Sequence, residues 1–439
     1  MGKLIRVSCL VMLFGLISCG GGSSSTPPAP PVEPPNPEPP VVTKAQKIET
    51  MWAQTIAPYM AGDLWTPINI YDAGHALIMP LHYAFEVADD TAMQQDFHDF
   101  FSRYNTAFDD ALDTNDQSRM QFHYVASRYF SLIKDEEWSA SQESLYNKVI
   151  QDLDFLWNVK FASQLGVSGD GRRDILQWKL DNIGLVTPKF RRATFDIEFN
   201  MFTVGADIAA VQMHRDGELS PLIADIRDMA LATFQQEVQF TSTGWLYQPG
   251  QWEEFEDYLY AGHTQVVEGL EPSPVQGIAT DSSHSHRMPL WLISLKEAFP
   301  ADSEQYAYFE ELHEGFRTQF MDVVFVPQND DFPSIRMTNY MDGNNGVYRY
   351  RFNEQPDIKL GYDPYNLSGT LMISFYPFLY DAELAQAYDN VSFPLPDNVV
   401  ELYQGLGPAR EANEFVTVPN LFTNGYAEVY SLMASLMVK

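Results

Sequence analysis

The sequence predicts an all-α protein, and three observations support this prediction. Apolar residues recur at three- and four-residue spacing along much of the chain, as on one face of a helix. Alternating patterns typical of half-buried strands are few. The roughly 395 residues from Lys44 onward contain no low-complexity break, so we expect one helical domain, 44–439, although the length alone would allow two or three.

Eight amphipathic stretches are the predicted helices of this domain. Each gathers its apolar residues on one face, and we expect that face to pack against a neighbouring helix. In chain order the stretches are Gln46 to Tyr59, Met93 to Ala111, Arg119 to Ile133, Ser141 to Phe161, Phe195 to Met213, Leu222 to Val238, Met288 to Ala298 and Ser303 to Phe320.

The N-terminus has the layout of a secretory signal peptide. Two basic residues precede the apolar run Val7 to Ile17, which is too short for a stable membrane span, so residues 1–18 are expected to be removed. The run closes on Leu-Ile-Ser-Cys-Gly, which resembles the bacterial lipobox. That resemblance implies cleavage before Cys19 and acylation of its sulfur, and Gly20 at the next position implies the outer membrane. The alternative is an ordinary signal peptide with a chance cysteine.

The segment 19–43 is the predicted linker between the lipidated cysteine and the domain. It is Gly/Ser-rich and then Pro-rich, with too little apolar bulk to fold alone. Repeated proline favours a semi-stiff polyproline II tether of about 3.1 Å per residue; a ligand for a proline-binding module is the alternative. The sequence therefore predicts a cell-envelope lipoprotein that contacts the membrane only through its lipid anchor. Because Cys9 leaves with the signal, no disulfide and no thiolate nucleophile are expected.

The charge balance excludes one class of partner. The chain carries 27 Lys+Arg against 59 Asp+Glu, a net charge of −32. Broad nucleic-acid binding requires a basic face that neutralises phosphates, so no nucleic-acid partner is expected. Such a charge also disfavours a flat orientation on an anionic bilayer, and it most often serves solubility.

Two distant segments share the pattern D-x-x-H-x-x-x-M-P-L, beginning at Asp72 and at Asp281. Pro80 and Pro289 mark predicted helix starts, because proline inside a helix costs about 3 kcal/mol. The Asp-x-x-His pair then lies on the loop before the helix, or the aspartate caps a longer helix that is kinked at the proline. A third segment, from Tyr362, opens another apolar helix in a similar way. Polar loops leading repeatedly into helices suit a ring of about six helical hairpins of about 65 residues each.

This layout resembles the (α/α) toroids of carbohydrate-active enzymes, glycoside hydrolases and polysaccharide lyases among them. The resemblance covers the domain as a layout and not as an alignable motif. It implies an (α/α) toroid of about six helical hairpins with long loops, whose site lies in the loops at one end of the inner helix ring. It also implies an enzyme that acts on an oligo- or polysaccharide, and a carbohydrate substrate is therefore the expected partner.

The densest group of polar and aromatic residues lies between Trp245 and Tyr365. Aromatic rings alternate there with amides, acids and arginines, which suit the C–H faces and the hydroxyl groups of a sugar. Each residue also has a structural alternative, because aromatic side chains fill helical cores, 342–346 reads as a turn and His284 and His286 could be satisfied near a cap. The predicted substrate-binding residues are Trp252, His263, His286, Arg287, Asn339, Tyr340, Asn345, Arg349 and Tyr365.

Two chemistries fit this region. A hydrolase needs two carboxylates flanking the scissile bond, and Asp281 and Asp342 are the predicted pair, with Glu256 or Asp257 as the substitute. A lyase needs Asn or Arg to neutralise the carboxylate of the sugar while His and Tyr act as base and acid. That set is Asn339, Arg349, His284 and Tyr350. The predicted catalytic residues of the two chemistries are Asp281, His284, Asp342 and Tyr350.

No cofactor and no metal ion are predicted. Asp281-x-x-His284-x-His286 offers ligand types usable by Zn²⁺, but His-x-His alone is a weak signal. His75 and His82 are more simply explained by packing. Two other functional classes stay open: a non-catalytic glycan- or ligand-binding surface lipoprotein, and a helical scaffold without a ligand.

Overall fold

The computed structural model describes residues 42–351, 360–406 and 412–438. The predicted signal peptide, the predicted lipidation site Cys19 and nearly all of the predicted linker lie outside the described residues. Thr43–Lys439 form one compact unit. Among the described residues, no helix is both long and apolar enough to cross a membrane.

The prediction of a predominantly α-helical protein is confirmed. Helices occupy most of the described chain, and strands are few and short. The α-helices, in chain order, are α1 (Lys44–Gln54), α2 (Ile56–Met60), α3 (Ile70–Ala76), α4 (Ile78–His82), α5 (Thr91–Thr106), α6 (Phe108–Leu112), α7 (Asp116–Leu132), α8 (Ala140–Asp154), α9 (Arg172–Asp181), α10 (Asp196–Arg215), α11 (Pro221–Glu237), α12 (Ser282–Ser285), α13 (Met288–Glu297), α14 (Glu304–Gln319), α15 (Ala382–Asp389), α16 (Asp397–Tyr403), α17 (Asn420–Thr423) and α18 (Tyr426–Ala434).

Wider and tighter helical turns, together with short hairpins, complete the secondary structure. Three π-helical turns each continue an α-helix, namely Tyr83–Val87 after α4, Phe155–Val159 after α8 and Phe320–Val324 after α14. The 3₁₀ turns are Lys189–Arg192, Ser368–Met372 and Tyr376–Leu379. The strands pair antiparallel in twos: β1 (Ala162–Gln164) with β2 (Val167–Gly169), β3 (Val238–Phe240) with β4 (Trp245–Tyr247), and β5 (Phe325–Val326) with β6 (Arg336–Met337).

The eight predicted amphipathic stretches all fold mainly as helix. Two of them are interrupted where the pattern gives no warning: Thr55 separates α1 from α2, and Ala107 separates α5 from α6. Capping side chains fix several of the starts. Thr43 and Ser139 each form a capping box with the glutamine three residues later, which satisfies backbone N–H groups that have no partner inside the helix.

The two copies of the D-x-x-H-x-x-x-M-P-L pattern differ in local structure. Asp281 caps α12, and Pro289 is the second residue of α13, where its missing N–H costs no hydrogen bond. Asp72, by contrast, lies in the first turn of α3, and Pro80 lies within α4. The prediction of an Asp–His loop before the helix is therefore wrong for the first copy. The helix predicted after Tyr362 is the 3₁₀ turn Ser368–Met372.

Helices α7, α10 and α13 form the centre of the packing. Helix α10 packs against both α7 and α13, and nearly all side chains of α7 from Ser118 to Ser131 and of α10 from Ile197 to Val211 are buried. A helix that is buried all round belongs to a core. On the other side of α7 lies α3, which adjoins α4, and α4 packs against α18. From α13 the contacts continue to the 376–379 turn, and α18 contacts the 368–372 turn.

A second set of helices covers this centre. Helix α8 packs against α5 and α7, α11 against α10, α14 against α13, and α1 and α15 against α18. One buried ion-pair group ties the central helices together: Nη1 of Arg128 donates to Asp207 Oδ1 at 2.8 Å and to Glu297 Oε2 at 3.0 Å. Arg128 and Asp207 are both almost fully buried. These bonds fix α7, α10 and α13 to one another close to the molecule's centre.

Candidate active site

The candidate site is built around α12, a single helical turn. Asp281 is its N-cap, and Oδ1 of Asp281 accepts a hydrogen bond from the backbone N–H of His284 at 3.0 Å. Asp281 pairs with Tyr340 as an isolated antiparallel bridge, and the N–H of Ser282 donates to the carbonyl of Asn339 at 2.9 Å. The turn is thereby attached to the 339–340 segment, which keeps Asp281 and His284 in a fixed geometry.

The carboxylate of Asp281 is buried, with 1% of its side chain exposed. Nδ1 of His284 lies 2.9 Å from both carboxylate oxygens. The hydroxyls of Tyr258 and Tyr348 donate to Oδ2 at 2.8 Å and 3.2 Å, and the hydroxyl of Ser283 donates to Oδ1 at 2.5 Å. Burial alone would raise the pKa of Asp281, but the charge and hydrogen bonds of His284 and Ser283 hold it well below its usual range. Asp281 is therefore a permanent anion that is fully occupied by protein donors.

His284 is the exposed member of the pair. About a third of its side chain, 34%, is exposed, and it lies on the wall of a cavity. Burial would lower the pKa of His284, but the charge and hydrogen bond of Asp281 raise it above its usual value. Because Nδ1 faces a carboxylate, that nitrogen carries the hydrogen in the neutral ring, and Nε2 is left as the basic atom. Among the described residues, Nε2 has no hydrogen-bond partner, so it is available to a bound molecule.

The first cavity has a volume of about 340 Å³. Asp281, His284 and Ser285 of the α12 turn form one part of its wall, and Tyr348 and Arg349 form another. Aromatic side chains and the carboxylates of Asp196, Glu256 and Asp257 complete the lining. The cavity thus combines a histidine with an unpartnered nitrogen, a guanidinium group and flat apolar surfaces, as in sites that orient a polar ligand.

Arg349 is held at this wall by Asp257. The backbone N–H of Arg349 donates to the Asp257 carbonyl at 3.0 Å, and Nε donates to Asp257 Oδ2 at 2.9 Å. The residue has a φ of 52°, a left-handed conformation that non-glycine residues seldom adopt. Such conformations persist where the surroundings enforce them, frequently at functional sites. The two bonds to Asp257 supply that enforcement.

The aromatic part of the wall centres on Trp252. Its ring stacks on Tyr258 with centroids 5.8 Å apart and planes 14° apart, and it meets Phe195 edge-on at 5.2 Å. Trp252 is half-buried and lines the first cavity. Its neighbours fix its orientation, so that a rigid flat face is offered to a ligand with C–H surfaces.

A second cavity, of about 250 Å³, lies on the other side of the α12 turn. Its wall includes Ser283, His286 and Arg287, and also Tyr71 and His75 of α3. The two copies of the repeated pattern therefore meet in space here. The rings of His75 and His286 have centroids 5.2 Å apart, and Nε of Arg287 donates to His75 Nε2 at 3.0 Å.

The structure brings some of the sequence-predicted residues to the cavities. Of the predicted set, Asp281, His284, Trp252 and Arg349 line the first cavity, and His286 and Arg287 line the second. The other seven line neither: Asp342, Tyr350, His263, Asn339, Tyr340, Asn345 and Tyr365.

Two of these seven side chains brace backbone near the α12 turn. The carboxylate of Asp342 accepts backbone N–H groups from Ala279 at 3.1 Å and from Asn344 at 2.9 Å. The side-chain amide of Asn339 donates to the carbonyls of Gly346 at 2.9 Å and of Asp363 at 3.0 Å. The carboxylate of Asp342 and the amide nitrogen of Asn339 therefore bind protein backbone, whereas Oδ1 of Asn339 is buried and has no hydrogen-bond partner among the described residues.

The remaining five fix neighbouring loops. The hydroxyls of Tyr340 and Tyr350 both donate to backbone carbonyls at 2.9 Å, those of Val347 and Val267 respectively. Oδ1 of Asn345 accepts the N–H of Tyr365 at 2.9 Å, and the ring of Tyr365 lies 4.8 Å from the Arg336 guanidinium. His263 Nε2 lies 2.7 Å from the carbonyl of Glu271.

Four residues of the site were not among the predicted site residues. Tyr258 and Tyr348 belong to the polar and aromatic group noted in the sequence, but no spacing rule distinguishes them from their neighbours. Asp196 lines the first cavity at the first position of α10, where an acidic residue is ordinarily interpreted as favouring the helix dipole. The sequence explains His75 most simply by packing, whereas in the structure it lines the second cavity. Only the folded path of the chain reveals these four.

The geometry gives no support to a zinc site. His284 lies on the first cavity, whereas His286 lines the second and accepts the N–H of Phe375 on its Nδ1 at 3.3 Å. The two rings of the His-x-His pair thus serve different cavities. No group of three or more His, Cys, Asp or Glu side chains suited to a metal ion occurs within 42–351, 360–406 and 412–438.

Comparison with known proteins assigns no family to this geometry. The chain matches no protein-family model, no curated protein and no solved structure. Any inference of function therefore rests on the residues of the site and on the layout of the helices.

Proposed function

We propose that this chain is a carbohydrate-active enzyme that cleaves a uronate-containing oligo- or polysaccharide by β-elimination, with His284 as the proton-transferring residue. The observation that supports the proposal is the buried Asp281–His284 pair, which leaves Nε2 of His284 on the wall of the first cavity. Arg349 and Trp252 lie on the same wall. Together they supply a base, a cation for the sugar's carboxylate and a flat face for its ring.

The proposed reaction needs only groups of this chain and the substrate. Nε2 of neutral His284 removes the proton at C5 of the uronate. The electron pair of that C–H bond forms a C4–C5 double bond while the C4–O bond breaks, and the leaving oxygen takes the proton back from His284. The Asp281 carboxylate stabilises the imidazolium in the interval, and Arg349 offsets the charge that accumulates on the uronate carboxylate.

Hydrolysis by the pair Asp281 and Asp342 is less well supported. The Asp281 carboxylate is buried and saturated with donors, and Asp342 lines neither cavity and binds backbone N–H groups. A different hydrolase remains a second candidate. Glu256 is exposed on the wall of the first cavity and, within the described residues, forms no ion pair. In its protonated form, this carboxyl group could donate the proton that a glycosidic oxygen needs on leaving.

We also propose the (α/α) toroid layout for the domain. The packing order supports it. Helices α3 and α4, α7, α10 and α13 pack in that order, α13 contacts the 376–379 turn, and the 368–372 turn contacts α18, which packs against α4. If the two 3₁₀ turns, which follow each other in the chain, count as one position, these elements give six positions. A toroid is expected to have six such positions in a ring, covered by a second set of helices. Tyr71, Asp196 and Arg287 lie at the N-terminal ends of three of these positions, which supports a site at one end of the ring.

Attachment to the cell envelope is a further part of the proposal. It rests on the sequence of the first 43 residues, above all on the lipobox-like segment before Cys19. Labelling cells with a radioactive fatty acid would test it. We expect the full chain to incorporate the label and Cys19→Ser to lose it, whereas label that persists in Cys19→Ser would refute acylation at that residue.

The enzymatic proposal is tested on the full-length chain with a panel of uronate-containing and neutral glycans. Ultraviolet absorbance of an unsaturated uronate reports elimination, and new reducing ends report any cleavage. We expect both signals from a uronate glycan, and we expect His284→Gln to lower the rate by roughly 10²- to 10⁴-fold, the usual contribution of a positioned acid–base group. The matched control is His214→Gln, because His214 pairs with Asp135 at 2.8 Å on the surface.

The alternatives have distinct outcomes. New reducing ends without absorbance from an unsaturated uronate would indicate hydrolysis and not elimination. In that case we expect Glu256→Gln to abolish the reducing ends. Glycan binding without turnover would identify a non-catalytic binding protein. Full activity in a folded His284→Gln variant would refute the role of the Asp281–His284 pair.

A further inference from the structure

We infer that the second cavity binds another sugar unit of the same glycan chain, so that the substrate extends across both sides of the α12 turn. This inference rests on the proposed function. It starts from the alternation of side chains along one short segment: Asp281, His284 and Ser285 line the first cavity, whereas Ser283, His286 and Arg287 line the second. His284 therefore lies next to the boundary between the cavities, which is where a bond joining two bound sugars would lie.

The wall between the cavities is thin. Nη1 of Arg287 donates to Asp196 Oδ2 at 3.1 Å, and Asp196 lines the first cavity. Nη2 of the same guanidinium donates to the hydroxyl of Tyr71 at 3.0 Å, and Tyr71 lines the second. The guanidinium group of Arg287, with one hydrogen bond on each side, thus connects the polar lining of the first cavity to that of the second. That spacing allows adjacent units of one chain to occupy both cavities.

The lining of the second cavity suits a hydroxyl-rich ligand that is not an anion, because it includes the carboxylate of Asp72. Aromatic residues and residues with hydroxyl, amide and imidazole groups line it together, the latter being Tyr71, Ser283, Thr370, Asn366 and His286. The guanidinium of Arg287 is buried and donates from Nε, Nη1 and Nη2 to protein groups, so it is not placed to bind an anionic ligand. These groups donate and accept hydrogen bonds in fixed positions, as sugar hydroxyls require.

His286 supplies the most specific polar group. The residue is 2% exposed, and its Nδ1 accepts the N–H of Phe375, so that Nε2 carries the hydrogen of the neutral ring. Burial, together with the charge of Arg287, lowers the pKa of His286 well below its usual value and keeps the ring neutral. Within the described chain no hydrogen bond joins Nε2 to a protein group, and His286 lines the second cavity. A ligand hydroxyl in the second cavity would supply a partner for Nε2.

The test fills the second cavity without touching the first. Thr370 is half-buried there and its side chain makes no hydrogen bond with the described residues, so Thr370→Phe blocks the cavity with a larger ring. Thr423→Phe is the matched control, because Thr423 is exposed and lines neither cavity. Gln404→Ala, at an exposed position of the same lining, is a gentler variant that should fold even if Thr370→Phe does not.

For the full-length chain and each variant, kcat/KM is measured over a series of oligosaccharides of increasing length, and binding of the same series is measured by calorimetry. We expect Thr370→Phe to lower kcat/KM and affinity about tenfold or more for the longer members and to spare the shortest, because hydrogen bonds to one sugar unit are lost. Gln404→Ala should show a smaller loss with the same dependence on length.

Two results would overturn the inference. One is an unchanged length dependence of affinity in folded Thr370→Phe and Gln404→Ala. The other is an equal loss for every chain length, which would indicate a general structural effect. Failure of the proposed function gives a different picture, namely no turnover by the parent chain; the calorimetric length dependence then still decides whether the second cavity binds sugar.

Discussion

At the scale of single residues, the Asp281–His284 pair makes a prediction about pH. A base must be neutral, and the pKa of His284 is raised above its usual value by Asp281. We expect kcat/KM to rise as the pH rises through this raised pKa. In Asp281→Asn the charge that raises the pKa of His284 is gone and burial lowers it, so the rise in kcat/KM should move to lower pH. The measurement is the pH profile of kcat/KM for both proteins, and Asp135→Asn on the surface is the control.

The same profile separates the two proton-transfer roles. If His284 acted as an acid on the free enzyme, activity would fall and not rise through its pKa. We also expect Asp281→Asn to lower the maximal rate, because an asparagine neither stabilises an imidazolium nor enforces the Nδ1–H tautomer. A rise that stays at the same pH in Asp281→Asn would contradict the electrostatic coupling of the pair.

A second residue-scale prediction concerns stability in acid. His123 is fully buried, with Nε2 at 2.9 Å from the Tyr104 hydroxyl, and burial lowers its pKa to about 4. The pKa of an unfolded histidine is about 6.5. Between pH 6.5 and pH 4 this side chain is therefore protonated in the unfolded state but neutral in the folded state, so stability falls as the pH falls. Over this whole pH range, His123 should lower the free energy of unfolding by about 3 kcal/mol.

Urea unfolding of the parent chain and of His123→Gln across this pH range measures the effect. We expect the variant to start less stable at neutral pH and to lose less stability on acidification. His214→Gln is the control for loss of a histidine from the surface. Parallel slopes for His123→Gln and the parent would show that other groups carry the acid sensitivity.

At the scale of elements, the buried ion pair between α7 and α10 gives a third prediction. Arg128 and Asp207 are each at most 2% exposed, and removal of one partner would leave the other charged and buried. We expect Arg128→Met to cost roughly 3 to 5 kcal/mol of unfolding free energy. The double variant with Asp207→Leu should regain much of the loss, because an apolar pair of similar volume needs no charge compensation.

A double-mutant cycle in urea tests this coupling. The exposed pair Arg215–Glu143 is the control, since such pairs contribute at most about 1 kcal/mol. If Arg128→Met and the double variant lose the same stability, the pair is not what fixes these helices to each other.

Elements were predictable from sequence where the information is local. Helical spacing from Arg119 to Ile133 identifies α7 within a few residues of its bounds, Asp116–Leu132, because every third or fourth side chain shares one face. The breaks at Thr55 and Ala107 were not predictable, since the apolar spacing continues across both. At Thr55 the backbone leaves the helical conformation and the hydroxyl donates to the Met51 carbonyl at 2.7 Å, which the spacing of apolar residues does not reveal.

The site shows the same division between local and long-range information. Asp281 and His284 lie three residues apart on one turn, so their contact follows from sequence spacing. Tyr350 was predicted as catalytic, yet the left-handed conformations of Arg349 and Arg351 on either side of it redirect the loop, and the Tyr350 hydroxyl binds Val267. Backbone turns of this kind leave little trace in residue order.

At the scale of the whole molecule, a net charge of −32 predicts a dependence of stability on salt. Exposed like charges outnumber attractive pairs, and salt screens both beyond about 10 Å at 0.1 M ionic strength. We expect Tm to rise from low to physiological ionic strength and then to level off. Thermal melts in NaCl and in tetramethylammonium chloride measure this dependence of Tm on salt. Equal rises of Tm in the two salts identify screening, whereas a rise in NaCl alone would indicate specific binding of Na⁺. A Tm that falls with salt would show that attractive surface pairs outweigh the repulsion.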